Sequence, residues 1–317
     1  MMPIPFFKQL EPARRVLVAG AGGGFDVFCG LPLFFALREA GKEVFLANLA
    51  FTSLDSTGAT RLGPALWHVT ADSSPPGFIN YFPEGYLSQW FRAQGEEVPV
   101  FAFPRTGAVP LRRAYETLVA LLGVDTLILV DGGTDALMRG DEEGLGTPHE
   151  DITSIAATYD LPLPRKLLAC LGFGIDHFHG VCHTHFLEGV AELARAGAYL
   201  GAFSLTAEME CARRFRAASE SVFEQMPHHV SIVNSSILSA IEGRFGDHHA
   251  TDRTRGSELF INPLMALYWC FHLVPVAGRV RYLERMAATE TWDDVRAELV
   301  RWEGSRTGVR PAVPLPL

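Results

Sequence analysis

The sequence predicts an α/β protein: a Rossmann-like, mostly parallel sheet with helices on both faces. Short, branched apolar runs alternate with helix-length stretches, the order expected of strand–helix–strand units. A glycine turn, GAGGGFD, follows the first run at once. Polar side chains recur just after run upon run, and in such sheets ligands bind outside the carboxyl ends of the strands. The 317 residues are read as one domain, with lid loops near 72–85 and 246–257.

In order, residues 15–19 (RVLVA) read as the first buried strand, and the stretch ending in ALREAGK as a helix with Gly41 beyond its end. Residues 43–50 (EVFLANLA) form the next strand, with Thr52, Ser53 and Asp55 just past it. Residues 72–85, with three prolines and two glycines, read as a long loop. A helix over 86–93, a strand over 98–103 and a helix over 111–122 follow. Residues 126–130 are a strand leading into DGGTDALMRGDEEGLGTPHED, and 152–159 a helix. Residues 166–173 (KLLACLGF) are a strand ending in GIDHFHGVCHTHF. A helix over 187–196, a strand over 199–205 and a helix carrying Glu208 and Glu210 to about 225 come next. Residues 230–233 read as a short strand, 246–257 as a polar loop and 259–261 as a last strand. The apolar run 264–272 reads as a helix, and 279–302 as one amphipathic helix.

A net charge of −9 argues against nucleic acid as a partner, since a basic surface is the usual footprint. The longest apolar run, 264–276, is interrupted by His272 and Pro275 and is too short for a membrane span. The first residues, MMPIPFFKQLEPARR, lack the order of a signal peptide, so a cytoplasmic location is expected. The five cysteines have no CxxC spacing and are expected to be free thiols. The expected partner is a small-molecule substrate, with homo-oligomerisation left open.

The stretch from Asp125 to Asp151 carries the densest chemistry. Asp131 follows a core strand directly, and Asp135, Arg139, Asp141, Glu142, Glu143 and Asp151 are interleaved with glycines. Close carboxylates repel unless water, Arg139, a cation or a hydroxylated ligand answers them; a solvated acidic loop is the plainer alternative. At the first turn, Gly20, Gly22, Gly23 and Gly24 could offer amides to an anion, although Asp26 stands beside them and neither GxGxxG nor a P-loop lysine is present. Asp176, His177, His179, His183 and His185 follow another strand; imidazoles serve as acid/base groups or metal ligands. Thr52, Ser53, Glu208 and Asn234 complete the polar sets after strands.

The combination of GAGGGFD, GGTD with RGDE, and GTPHED resembles an uncharacterised prokaryotic family, the domain of unknown function DUF1152, from Val16 to about Phe271. That resemblance implies no reaction. A weaker likeness is to the sirtuin-type NAD-binding fold, through Gly20-Ala21-Gly22 with Gly30-Leu31-Pro32-Leu33-Phe34 and Gly174-Ile175-Asp176 with His177 and His179. It implies a nucleotide pocket of related shape.

The sequence therefore predicts an enzyme, a transferase or hydrolase of a small nucleotide-, ribosyl- or phosphate-like metabolite. Asp131, Asp135, Asp176, His177 and His179 are the expected catalytic groups. Gly20, Gly22 to Gly24, Asp26, Thr52, Ser53, Arg139, Glu142, Asp151, Glu208 and Asn234 are the expected ligand contacts. The expected cofactor is a divalent metal or a nucleotide. One alternative is a metal-dependent hydrolase with His177, His179 and His183 as ligands; another is a non-catalytic nucleotide-binding sensor.

Overall fold

The computed structural model describes residues 4–77, 80–257 and 259–315. Its strands are β1 (Arg15–Gly20), β2 (Glu43–Ala50), β3 (Thr60–Gly63), β4 (Leu66–Val69), β5 (Val100–Pro104), β6 (Thr126–Asp131), β7 (Arg165–Leu171), β8 (Tyr199–Ser204), β9 (Gly246–Asp247), β10 (Phe260–Ile261) and β11 (Leu267–His272). The helices are α1 (Pro5–Leu10), α2 (Asp26–Cys29), α3 (Leu31–Glu39), α4 (Pro83–Ala93), α5 (Ala108–Leu122), α6 (Pro148–Thr158), α7 (His183–Arg195), α8 (Glu210–Gln225), α9 (Ile232–Ile241), α10 (Leu273–Arg279), α11 (Leu283–Ala287) and α12 (Trp292–Ser305). Nine strands form one sheet in the order β3-β4-β5-β2-β1-β6-β7-β11-β8, and β9 pairs with β10 separately.

The expectation of a mostly parallel, Rossmann-like sheet is overturned: the sheet is mixed. Four ladders, linking β5, β2, β1, β6 and β7, are parallel. Four more in the same sheet are antiparallel, β3–β4, β4–β5, β7–β11 and β11–β8, and the separate β9–β10 pair is antiparallel as well. The connections explain this. A tight link joins β3 to β4, which permits only antiparallel pairing, and β11 runs between β7 and β8 against both.

Alternation along the central strands feeds two apolar layers, because successive side chains point to opposite faces. Val16, Val18, Ile128 and Val130 meet Phe34 of α3, Phe91 of α4 and Phe215 of α8. Leu17, Ala19, Leu127 and Leu129 meet Tyr115 of α5, Ile155 of α6 and Phe186 of α7. The strands are buried on both sides, which is why they read as continuous apolar runs.

Three element assignments change. Residues 230–233 are not a strand: Ser231 caps α9, its hydroxyl accepting from the Asn234 amide at 3.1 Å. The run 264–272 is not a helix: a short 3-10 turn, Pro263–Ala266, precedes strand β11. Periodicity cannot separate strand from helix in a run apolar throughout. The tail, read as one helix over 279–302, divides into α11 and α12, and the capping box of Thr291 and Asp294 restarts the chain. The hairpin of β3 and β4 was not anticipated, since TRLGPALWHV shows no clean alternation. Of the first expected lid, residues 83–85 belong to α4, and Phe78 and Ile79 lie outside the described residues. In the second, 246–257, β9 and a 3-10 turn at Asp252–Thr254 occur. Among the described residues no helix is long and apolar enough to cross a membrane.

Candidate functional site

The five central parallel strands deliver their carboxyl ends to one rim. The order of the chain reverses between β1 and β6, since β2 and β5 lie to one side of β1 while β6 and β7 lie to the other. A crevice forms at such a switch point. The backbone there is tied across the sheet, with the Ala21 amide donating to Val130 O at 2.8 Å.

After β1 the chain turns through Gly22, Gly23 and Gly24 into Asp26, the first residue of α2. A Cβ on Gly22 would lie 2.7 Å from Asp26 Oδ2 and 3.0 Å from Asp151 Oδ2, so the absence of a side chain lets two carboxylates close in. The Gly22 amide donates to Asp26 Oδ2 at 2.6 Å and the Gly24 amide to Leu49 O at 3.0 Å. Both amides are thus engaged internally.

Asp131 ends β6 and accepts from the Ala136 amide at 3.2 Å. Asp135 accepts from the amide and hydroxyl of Thr147, at 2.8 and 3.2 Å. Asp176, on the turn after β7, accepts from the Thr134 amide at 2.6 Å. Asp151 stands in the first turn of α6, and the Ser154 hydroxyl ties that helix to Ala21 O at 2.7 Å. One ligating oxygen each from Asp26, Asp131 and Asp151 lies within 4.8 Å of the other two. Asp131 and Asp151 are only 2 and 4% exposed, and Asp151 Oδ1 has no hydrogen-bond partner among the described residues.

Such a group resists ionisation. Burial, followed by repulsion from neighbouring carboxylates, pushes Asp131 and Asp151 well above the usual carboxylate range. Burial likewise lifts Asp176, with Asp135 adding repulsion. Asp26 is raised to about 7 by burial, against the pull of amide hydrogen bonds. Burial raises Asp135 as well, while the Thr147 hydrogen bonds and the nearby His179 pull it down. Among the described residues no Lys or Arg forms an ion pair with any of these five; Arg105 pairs only with the adjacent Glu150, at 3.2 Å.

The other acidic residues of the loop are neutralised by protein groups. Asp141 meets Arg139, Arg281 and Arg310 at 2.8, 2.6 and 3.1 Å. Glu142 accepts from the Gly140 amide at 2.8 Å and pairs with Arg310 at 2.9 Å. Arg139 also reaches Glu192 at 2.9 Å. Arg139 and Glu142 therefore stand in an ion network with Asp141, apart from the five crowded aspartates. Burial raises Asp141, but Arg139 and Arg310 outweigh it and hold the carboxyl down at about 2.

The histidine stretch lies beside the aspartates. His177 and His179 are exposed, and the His177 and His183 rings are 5.2 Å apart. Among the described residues no group of three ligating side chains includes His177, His179 or His183. Asp176 and His179 border a cavity of about 420 Å³ that is lined as well by Ile232, Val233, Leu259, Arg253 and Arg255. Of the remaining expected contacts, Gly20 ends β1, and the Thr52 hydroxyl donates to Tyr81 O at 2.6 Å. Ser53 and Glu208 are exposed. Asn234 is buried under the glycine turn, donating to Phe25 O at 3.1 Å and accepting from Cys29 Sγ at 2.9 Å.

Arg105, Glu150, Phe51 and Tyr81 also border this rim, and none was singled out from the sequence. Arg105 directly follows β5 and Phe51 directly follows β2, so the strand-end rule that found Asp131 would have found both.

No match to the chain was found among curated proteins or among solved structures. The likeness to the sirtuin-type fold rests on the quoted residues alone. A family model described as "Protein of unknown function (DUF1152)" matches residues 17–306, a span that holds the glycine turn, the carboxylate group and the histidine stretch, and the chain belongs to that family.

Proposed function

We propose that this protein is a divalent-cation-dependent enzyme that hydrolyses, or transfers a group from, a small polar metabolite, with Asp26, Asp131 and Asp151 holding the cation. One observation carries the reading: three carboxylate oxygens lie within 4.8 Å of one another, and one of the buried carboxylates has an oxygen with no partner among the described residues. Like charges so close are costly unless a cation answers them. Purely carboxylate donors suit magnesium or manganese better than zinc. A bound cation would polarise a substrate oxygen and activate water. His179, exposed beside Asp135, is the acid/base group in this reading. The cavity of about 420 Å³ next to it has the size of a small-metabolite pocket.

The test is titration with magnesium or manganese, followed by calorimetry and thermal unfolding. Wild type gains melting temperature, because a ligand selective for the native state stabilises it by mass action. Asp131→Asn/Asp151→Asn gains none. Equal responses from both proteins overturn the cation site. A metabolite screen with product detection on the metal-loaded protein then tests turnover, and Asp131→Asn should abolish it.

A further inference from the structure

We infer that Arg105 is the specificity-determining residue of this site, and that the metabolite carries a phosphoryl group bound jointly by the Arg105 guanidinium and the cation at Asp26, Asp131 and Asp151. The inference rests on the cation reading above and deepens it by naming the substrate's anionic group.

Arg105 emerges at the end of β5, on the same rim as the aspartates. Its guanidinium carbon lies 4.0 Å from the ring centre of Phe51 and 5.5 Å from that of Trp292. Two aromatic faces hold the planar group by attraction to their π-systems. Phe51 in turn packs on the glycine turn: a Cβ on Gly23 would lie 2.9 Å from its ring. The Arg105 Nε faces Glu150 at 3.2 Å, and Glu150 is the sequence neighbour of the cation ligand Asp151. The arginine is thus oriented at the border of the carboxylate group without belonging to it.

Its donors are not used up. Among the described residues the terminal guanidinium nitrogens of Arg105 make no hydrogen bond, and the side chain is 43% exposed while Glu150 is 12% exposed. The contrast with Arg139 and Arg310 is informative, because both of those engage their terminal nitrogens with Asp141 and its neighbours. An arginine held by aromatic stacking, with its fork left open, matches recognition of a phosphoryl or other oxyanion. A carboxylate-lined crevice would repel that anion by itself. With a divalent cation in the crevice and Arg105 at its border, the charges alternate: carboxylates, cation, phosphoryl oxygens, guanidinium. A tetrahedral phosphoryl group has enough oxygens to meet the cation with one and the arginine with two. Amides of the glycine turn are the other conventional phosphate donors, and two of them, those of Gly22 and Gly24, are already engaged.

The test is calorimetric titration of inorganic phosphate into the magnesium-loaded protein, comparing wild type, Arg105→Gln and Arg105→Lys. Wild type should bind phosphate only when magnesium is present. Arg105→Gln should weaken phosphate by about tenfold or more while its magnesium affinity stays within about twofold of wild type. Arg105→Lys, which keeps the charge but loses the fork and the stack, should fall between them. Phosphate binding that is equal in wild type and Arg105→Gln, or absent from magnesium-loaded wild type, overturns the inference and leaves the cation reading standing. Absence of magnesium binding by wild type overturns the cation reading itself, and the inference with it. Circular dichroism melts of each variant confirm folding, and Phe51→Leu, which loosens the stack with the guanidinium intact, should weaken phosphate by a smaller factor. No effect from Phe51→Leu together with none from Arg105→Lys would refute the role given to the stacked fork.

Discussion

Glu84 offers a test of the rim's electrostatics that needs no ligand. It is fully buried in the first turn of α4, where Asn48 Nδ2 donates to its Oε1 at 2.7 Å and to Gly24 O at 2.8 Å. Among the described residues Glu84 Oε2 and Asn48 Oδ1 have no partner, and a proton shared between the two groups would answer both. Burial lifts the carboxyl from 4.5 to about 7, outweighing the hydrogen bonds from its own backbone and from Asn48. The folded pKa is the higher one, so the contribution to stability is fully present below 4.5 and is lost as pH rises through about 7. A shift of that size corresponds to about 3 kcal/mol once the group is ionised. In Glu84→Gln the side chain stays neutral at every pH, and its amide can take over the role of the carboxylic O–H. Urea unfolding at about pH 5 and about pH 8 should show wild type losing roughly 2–3 kcal/mol more than the variant between the two. Wild type and variant losing stability in parallel would mean that Glu84 is ionised and answered in the folded protein, and the reasoning would fail.

In cation-free buffer near neutral pH, Asp151→Asn should be at least as stable as wild type, since it removes one of three crowded carboxylates. A loss of more than about 1 kcal/mol in urea would contradict the repulsion described. Arg310→Gln, which strips partners from Asp141, Glu142 and Glu188, should cost about 2 kcal/mol. A change within about 0.5 kcal/mol would show that Arg139 and Arg281 suffice to answer the loop. Tyr268→Phe removes a fully buried hydroxyl that donates to the Cys29 carbonyl beneath the site. It should cost about 1 kcal/mol with the same slope against pH as wild type, and an altered slope would tie that hydroxyl to the titrating carboxylates.

Local pattern fixed much of the architecture. Strands β1, β2, β5, β6 and β7 were legible because burial on both faces makes each a short apolar run bounded by turn residues. The same pattern located Gly22, Asp26 and Asp176 just past strand ends and Asp131 at the end of one. Strand direction is not legible, because periodicity carries no sign, and β11 is hidden a step earlier, since its run, apolar throughout, fits the helix expected over 264–272 as well as a strand. The element α9 turned on one capping hydroxyl, Ser231, inside a branched apolar stretch that favours a strand in isolation. Which acidic residues converge was equally hidden. Asp141 and Asp151 look equivalent in DEEGLGTPHED, yet Arg281 and Arg310, far along the chain, neutralise the first, while α6 carries the second back against Gly22. Sequence alone set the inventory of charges and the rim on which they stand, since both depend on neighbouring residues. Tertiary structure decided which charges are answered and which are left facing one another, because Coulomb energy depends on distance through space and on burial, and neither follows from separation along the chain.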